Sequence, residues 1–327
     1  MNKSTDPEIH IERGELSWRY PQKLSEVPEL LSEGYIPHGG GTTLVKTPLV
    51  KSKVKRGRGF FDLSRLKELK AFSLSGGTCT IGAGLTYAEV VTNISTFDIN
   101  HILVKALSRA ASNALRNRIT IGGSIATFPV WSDLAGPLIA LNSRLKLLDS
   151  SGKESTCGIE EYFKDRSIGR NKLILYAEVP ASASVSYYYR EVRTRFDYPL
   201  FTVSILPSGT GGMAKAAGGA EATGIAKAAG SVGATAATSG PVGSESTGDS
   251  AGSYIVVVTG TRGKYRKLQV ASSASNLPKQ PDETEKTGLQ FPDRQGMSGE
   301  YLEHVARVQI RRGLEMLEKA AGQGRSK

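Results

Sequence analysis

Two short glycine clusters offer the plainest chemistry in this chain. Gly39-Gly40-Gly41-Thr42-Thr43 and Thr120-Ile121-Gly122-Gly123-Ser124 lie far apart, and each follows a short apolar run and precedes a segment able to start a helix. Glycine has no Cβ, so it turns through positive φ at little cost and lets successive backbone N–H groups converge on an anion. A helix start adds a partial positive charge aimed at the same point. Either cluster alone is equally a tight turn. As a pair they read as two phosphate-cradling turns that hold one long dinucleotide from two sides.

The elements around them have to bring both turns together. Residues 24–31 form a short amphipathic pattern stopped by Gly34, and Tyr35-Ile36-Pro37 reads as a strand leading into the first turn. A further strand is expected at 60–63, a helical turn at 64–69 and a strand at 78–82. Thr86 and Glu89 have capping-box spacing, so a helix carrying Ala88, Val90 and Val91 should begin there, and residues 103–116 continue a helical pattern up to the second turn. Ser132 or Asp133 can cap a helix running to Leu141, and 144–149 alternates like a strand before the Ser151-Gly152 turn. Strands also fit 172–179 and 184–193.

This order predicts an α+β partition with a boundary near Pro180: one domain over 1–180 and a second over 181–321. The second opens with strands and closes with a helix at 298–320, with Leu302, Val305, Ile310, Leu314 and Leu317 along one side. Residues 207–252 are nearly all Gly, Ala, Ser and Thr and have too little apolar bulk to offset ordering, so they read as a flexible insertion. They separate strands at 201–206 and 254–259 that would otherwise be hairpin neighbours. A second loose stretch spans 272–293.

Composition removes several classes of function. Two cysteines, Cys79 and Cys157, are too few for an iron–sulfur cluster or a four-cysteine zinc site, and the four histidines, His10, His38, His101 and His304, form no metal-binding motif. No metal is expected, and redox chemistry would need an organic cofactor or a partner. Residues 1–14 are polar, without the apolar core of a leader, and no run of about twenty apolar residues follows. The expectation is a cytoplasmic protein without membrane insertion. The net charge of +11 is concentrated in part at Lys46, Lys51, Lys53, Lys55, Arg56 and Arg58. That run lacks interleaved aromatics, which argues for a solvated loop or a dock for an acidic protein and against nucleic acid.

Motif matches narrow the field further. Gly82-Ala83-Gly84 begins like a Rossmann fingerprint, but Tyr87 stands where the third glycine belongs. Gly263-Lys264 resembles the end of a P-loop, but Tyr265 replaces the magnesium-binding hydroxyl and Val258 the first glycine. No G-x-S-x-G elbow occurs. In contrast, Gly39 to Leu44, then Arg116-Asn117-Arg118-Ile119-Thr120-Ile121-Gly122-Gly123-Ser124-Ile125-Ala126, then Ser132-Asp133-Leu134 occur in one recognisable order. This pattern resembles the FAD-binding (medium) subunit of the molybdenum hydroxylases, the family of xanthine dehydrogenase and carbon monoxide dehydrogenase. The resemblance continues through Asp197-Tyr198 and through 301–308 with Arg311-Arg312, and it covers most of the chain.

The resemblance implies a PCMH-type FAD-binding domain of two α/β subdomains, followed by a C-terminal α+β domain of antiparallel sheet plus helices. It implies that Gly39, Gly40, Gly41, Thr42, Thr43 and Leu44, together with Thr120, Ile121, Gly122, Gly123 and Ser124, hold the FAD pyrophosphate. Asp133 would bind towards the ribose or adenine, and Arg190 and Tyr198 would face the isoalloxazine, where a cation favours the reduced ring and an aromatic shields it. The residues alone leave other readings open. Arg190 could be a solvent-facing partner of a carboxylate, Asp133 only a helix cap, and Tyr198 plain core. Ser124 stands where the family has Asn and Thr43 where it has Asp, and both keep a hydrogen-bonding side chain. Trp131 is either a cover for the cofactor or a substrate entrance, or a buried structural residue. His38 is not expected to attach flavin, because the subunits resembled bind FAD without a bond.

The implied function is electron transfer, with no protein acid or base required. Electrons would come from iron–sulfur clusters on a [2Fe-2S] small subunit, supplied by a molybdopterin-binding large subunit, and leave through FAD to NAD or another acceptor. The alternative is a flavin-free assembly subunit that keeps the fold and docks partner chains.

Overall fold

The computed structural model describes residues 17–43, 59–209, 252–271 and 289–324. Leu44, the basic run at 46–58, residues 210–251 of the expected insertion and 272–288 of the second loose stretch lie outside them.

The N-terminal subdomain is a small parallel sheet of β1 (Trp18–Arg19), β3 (Phe60–Asp62) and β2 (Ile36–His38), in that order. Helix α1 (Val27–Ser32) joins β1 to β2, and the chain reverses at Gly34 with φ of 84°. Val27 and Leu31 are buried with Phe61, Leu66 and Leu69 against Leu148, Leu173 and Leu175, so this subdomain rests on the sheet that follows.

That sheet is antiparallel, with β4 (Phe72–Ser75), β5 (Thr78–Gly82), β8 (Lys172–Pro180), β6 (Arg144–Asp149) and β7 (Glu154–Gly158) in spatial order. Helices α2 (Tyr87–Ser95), α3 (Ile102–Leu107), α4 (Asn113–Arg116), α5 (Ile121–Thr127), α6 (Ala135–Ala140) and α7 (Ile159–Lys164) accompany it. Its core joins Cys79, Ile81, Leu145, Leu147 and Val179 to Val90, Ile94, Leu103, Leu107 and Leu138. The capping box at α2 forms as its spacing predicts: Thr86 Oγ1 accepts from Glu89 N, and the Glu89 carboxylate accepts from Thr86 N at 2.8 Å.

The helix expected over 103–116 is divided. It stops after Leu107, Ala111 turns to φ of 46°, and α4 restarts with Ser112 Oγ accepting from Leu115 N. Serine competes with the helix for backbone donors, and here it wins as a cap. At α6 the cap is also local: Ser132 Oγ accepts from Ala135 N at 3.2 Å, which leaves the neighbouring Asp133 for another role.

From β8 the chain passes to a four-stranded antiparallel sheet of β12 (Lys264–Ala271), β11 (Ser253–Thr261), β10 (Phe201–Pro207) and β9 (Tyr187–Glu191). β10 and β11 pair with Pro207 opposite Tyr254, so the strands flanking the Gly/Ala-rich segment are neighbours, as expected. On one face, α8 (Gly299–Gly324) buries Leu302, Ala306, Ile310, Leu314 and Leu317 against Phe201, Val203, Ile205, Val256 and Val258. On the other, α6 approaches a row of hydroxyls; a Cβ on Gly136 would lie 2.8 Å from Ser204 Oγ. The fold is α+β, with antiparallel sheets and helices in both halves.

Candidate functional site

The first glycine bend leaves β2 and lies directly on the backbone that enters the second. A Cβ on Gly40 would fall 1.5 Å from the Arg118 carbonyl oxygen, and one on Gly39 would fall 2.9 Å from Thr120 Oγ1. The Arg118 guanidinium donates back to the Gly40 carbonyl at 3.3 and 3.4 Å. Gly41 takes φ of +71°, a conformation a side chain rarely adopts. The N–H groups of residues 39–43 have no acceptor among the described residues. The two clusters therefore meet, and one of them presents a run of donors with no acceptor among the described residues.

The second bend is built differently. Thr120 caps α5, its Oγ1 accepting from Gly123 N at 3.2 Å and its carbonyl from Ser124 N at 3.0 Å. Ile121 N donates to Leu85 O at 2.9 Å, and Gly122 N to Ala83 O at 2.8 Å. A Cβ on Gly122 would stand 2.7 Å from the Ala83 Cβ. Its glycines thus allow close packing of α5 on the segment after β5, and four successive amides are already committed. The expectation that both clusters offer several free donors holds in geometry for the first and fails for the second, because the helix start is tied to that neighbouring segment. Ser124 Oγ accepts from the Tyr87 hydroxyl at 2.9 Å, so the residue in the usual Asn position is anchored to α2.

Asp133 and Arg190 come together. Arg190 Nε donates to Asp133 Oδ1 at 2.8 Å, with both side chains under a tenth exposed, and the Tyr188 hydroxyl donates to the same oxygen at 2.7 Å. Arg190 also donates to the carbonyls of Arg195 at 3.2 Å and Asp197 at 3.0 Å. Burial pushes the Asp133 carboxyl above its ordinary range, and the Arg190 guanidinium and the Tyr188 hydroxyl pull it back. Removing either partner would strand a buried charge, at about 3–5 kcal/mol.

These contacts bear on the readings of four residues. The enclosed and paired Asp133 fixes Arg190 and is neither a helix cap nor open to a ribose. The Arg190 side chain is under a tenth exposed and faces the cavity and Asp133, not bulk solvent. Tyr198 and Trp131 are 53% and 41% exposed, with ring centroids 5.2 Å apart, so neither is core. His38 lies behind the first bend against Trp18 at 4.9 Å, and burial lowers its pKa below the usual histidine value.

Beside the Asp133–Arg190 pair, a cavity of about 640 Å³ opens between the two halves of the molecule. Arg109 and Ser112 line it from the segment between α3 and α4, Arg116 from the end of α4, and Arg190, Arg195 and Phe196 from the far side. The same backbone runs from Arg116 in its wall to Arg118 under Gly40. A long ligand gripped at the first bend therefore has a concave site for one of its ends close at hand. Arg109, Arg195 and the contact of Arg118 with the first bend had no signal in the spacing of the sequence; Arg116 and Arg118 were visible only as members of the segment before the second glycines. Among the described residues no group of three His, Cys, Asp or Glu side chains could hold a metal, and no helix is long and apolar enough to cross a membrane.

Residues 13–182 match the family described as the FAD binding domain in molybdopterin dehydrogenase. The glyceraldehyde dehydrogenase medium chain of Sulfolobus acidocaldarius is 27% identical over 197 residues, covering 58% of this chain and 69% of that protein. The indole-3-acetaldehyde oxidase of Arabidopsis thaliana is 24% identical over 194 residues, covering 55% of this chain but only 14% of that much longer protein. Among solved structures, quinoline 2-oxidoreductase from Pseudomonas putida 86 superimposes with a TM-score of 0.68 at 18% identity, covering 94% of this chain and 98% of that one.

Proposed function

This chain belongs to the family of FAD-binding domains of molybdopterin dehydrogenases, and on that premise we propose that it is the flavin-carrying electron-transfer subunit of a larger complex. It is an FAD-binding oxidoreductase subunit. The observation that supports the finer reading is the convergence of the glycine bends: amides at 39–43, without an acceptor among the described residues, lie against Arg118–Thr120 in a cradle that a Cβ would fill. Those residues fit a diphosphate.

In this reading the amides of Gly39, Gly40, Gly41, Thr42 and Thr43 hold the phosphates. Thr120, Ile121, Gly122, Gly123 and Ser124 form the floor, which their hydrogen bonds to residues 83–87 keep rigid. The ring end enters the cavity beside Arg190, which Asp133 and Tyr188 hold in place, and the exposed Trp131–Tyr198 pair shields it. Bound FAD would supply reversible electron acceptance, between the iron–sulfur centres of a partner and NAD or another acceptor. The chain orients the cofactor and tunes its charge; no protein acid or base is required. A cytoplasmic complex with a molybdopterin-binding large subunit and a [2Fe-2S] small subunit is the setting this role needs.

The test is the visible spectrum of the purified chain after reconstitution with FAD. A stoichiometric, tightly held flavin is expected. A folded protein that stays colourless would overturn the reading and leave the flavin-free assembly subunit in its place.

A further inference from the structure

Four arginines line the cavity, and one of them is already neutralised. Arg190 is paired with Asp133. Arg116 is held by uncharged acceptors: its Nη1 donates to the carbonyls of Ala110 at 2.8 Å and Ala111 at 2.9 Å, and its Nη2 to the Asn113 side-chain oxygen. Arg109 and Arg195 are exposed and have no carboxylate partner among the described residues, and Arg195 lies over the Phe196 ring at 5.5 Å from its centroid. No carboxylate lines the cavity.

Three uncompensated guanidinium groups around one concave space repel one another, and a concave wall concentrates their field. The wall is also held in an unfavourable backbone state. Ala111 sits at φ of 46°, uncommon outside glycine, with its carbonyl turned to Arg116. Arg116 is fixed on neutral oxygens, so its charge stays available to whatever enters. Negative charge on a ligand would relieve the repulsion.

We propose that Arg109, Arg116 and Arg195 form an anion-stabilising wall for the cofactor ring, and that this trio, not the neutralised Arg190, supplies the positive charge that favours the reduced ring. The inference rests on the reading that the ring end of FAD occupies this cavity. Two electrons from a chemical reductant and one proton from solvent leave the flavin ring with a net negative charge, which the wall stabilises relative to the oxidised, neutral ring.

The experiment uses the full chain reconstituted with FAD and compares wild type, Arg109→Gln/Arg195→Gln, Arg109→Lys/Arg195→Lys and the distant surface variant Arg170→Gln. The two-electron midpoint potential is measured by equilibration with a reference dye at low and high salt, and sulfite is titrated as a second probe. Sulfite donates its electron pair to the ring in a new N–S bond and leaves the negative charge on the ring. The Gln pair is expected to weaken the hold on the electron pair about tenfold, a midpoint about 30 mV more negative, and to raise the sulfite dissociation constant by a similar factor. The Lys pair and Arg170→Gln should stay near wild type, and added salt should lower the wild-type midpoint.

An unchanged midpoint in the Gln pair with FAD still bound overturns the proposal. So does weaker sulfite binding with an unchanged midpoint, which would show that the arginines only attract the incoming anion. A wild-type midpoint insensitive to salt overturns it without any variant. A colourless wild type is a separate result, and it sinks the flavin reading itself.

Discussion

The two glycine bends share a composition and touch in space, yet they use glycine for opposite reasons. At the first, Gly41 supplies a positive φ and the amides of 39–43 have no acceptor among the described residues, so the absence of side chains gives access. At the second, Ile121, Gly122, Gly123 and Ser124 are all hydrogen-bonded internally, and Gly122 is small because Ala83 presses on it. One bend is a grip and the other a foundation. A glycine cluster is therefore a statement about what comes close to the backbone, and the visitor can be a ligand or the protein itself.

Substitutions can separate the two roles. The largest effect is expected for Gly40→Ala, whose Cβ would stand 1.5 Å from the Arg118 carbonyl where the bends meet. It should destabilise the fold by about 3 kcal/mol and weaken FAD about a hundredfold, read by thermal denaturation and by FAD titration. Gly122→Ala comes next, with Ala83 Cβ at 2.7 Å and its carbonyl oxygen at 2.9 Å. About 2 kcal/mol of stability should be lost in the flavin-free protein, and the FAD affinity should fall only as far as the folded fraction does.

Gly41→Ala should behave the other way. Its positive φ costs an alanine about 1 kcal/mol, and its Cβ would also stand 2.8 Å from the His38 ring. A loss of about 1 kcal/mol of stability in the flavin-free protein and about a tenfold loss of FAD affinity are expected. Thr120→Val is the mildest: the cap on α5 disappears at about 1 kcal/mol, the shape is kept, and FAD binding should be nearly unchanged in an equilibrium titration. If Gly41→Ala and Thr120→Val alter stability and affinity in the same proportion, the division into grip and foundation is wrong.

Much of the fold could be read from local patterns. The Thr86/Glu89 box, the strand before the first bend, the pairing of strands on either side of the Gly/Ala-rich segment and the apolar stripe of the last helix all form where spacing placed them. The strands β4, β7 and β12 escaped because they are edges of their sheets whose mostly polar sequences bury almost nothing fully, Cys157 being the one buried residue among them. The division of the helix at 108–112 was hidden because its apolar positions keep a helical period while two serines and Ala111 interrupt the backbone.

The candidate site was less legible. The glycines and the Arg-Asn segment stood out, but the residues across the cavity did not, since Arg109 and Arg195 belong to different halves of the chain and have no common spacing. For Trp131 and Tyr198 the sequence left open whether the rings cover a ligand or fill a core, and exposure of both rings depends on a packing that no single segment encodes.

Residue order was enough to establish the two glycine clusters, the redox role of a borrowed cofactor, the α+β plan and the family, since each follows from local chemistry, composition or a pattern of neighbours along the chain. Packing had to decide which amides stay free, that Asp133 is used up on Arg190, and that three other arginines share one cavity. The reason is physical: a donor's availability and a charge's balance depend on whatever lies within a few ångströms in space, and those neighbours here come from segments far apart in the chain.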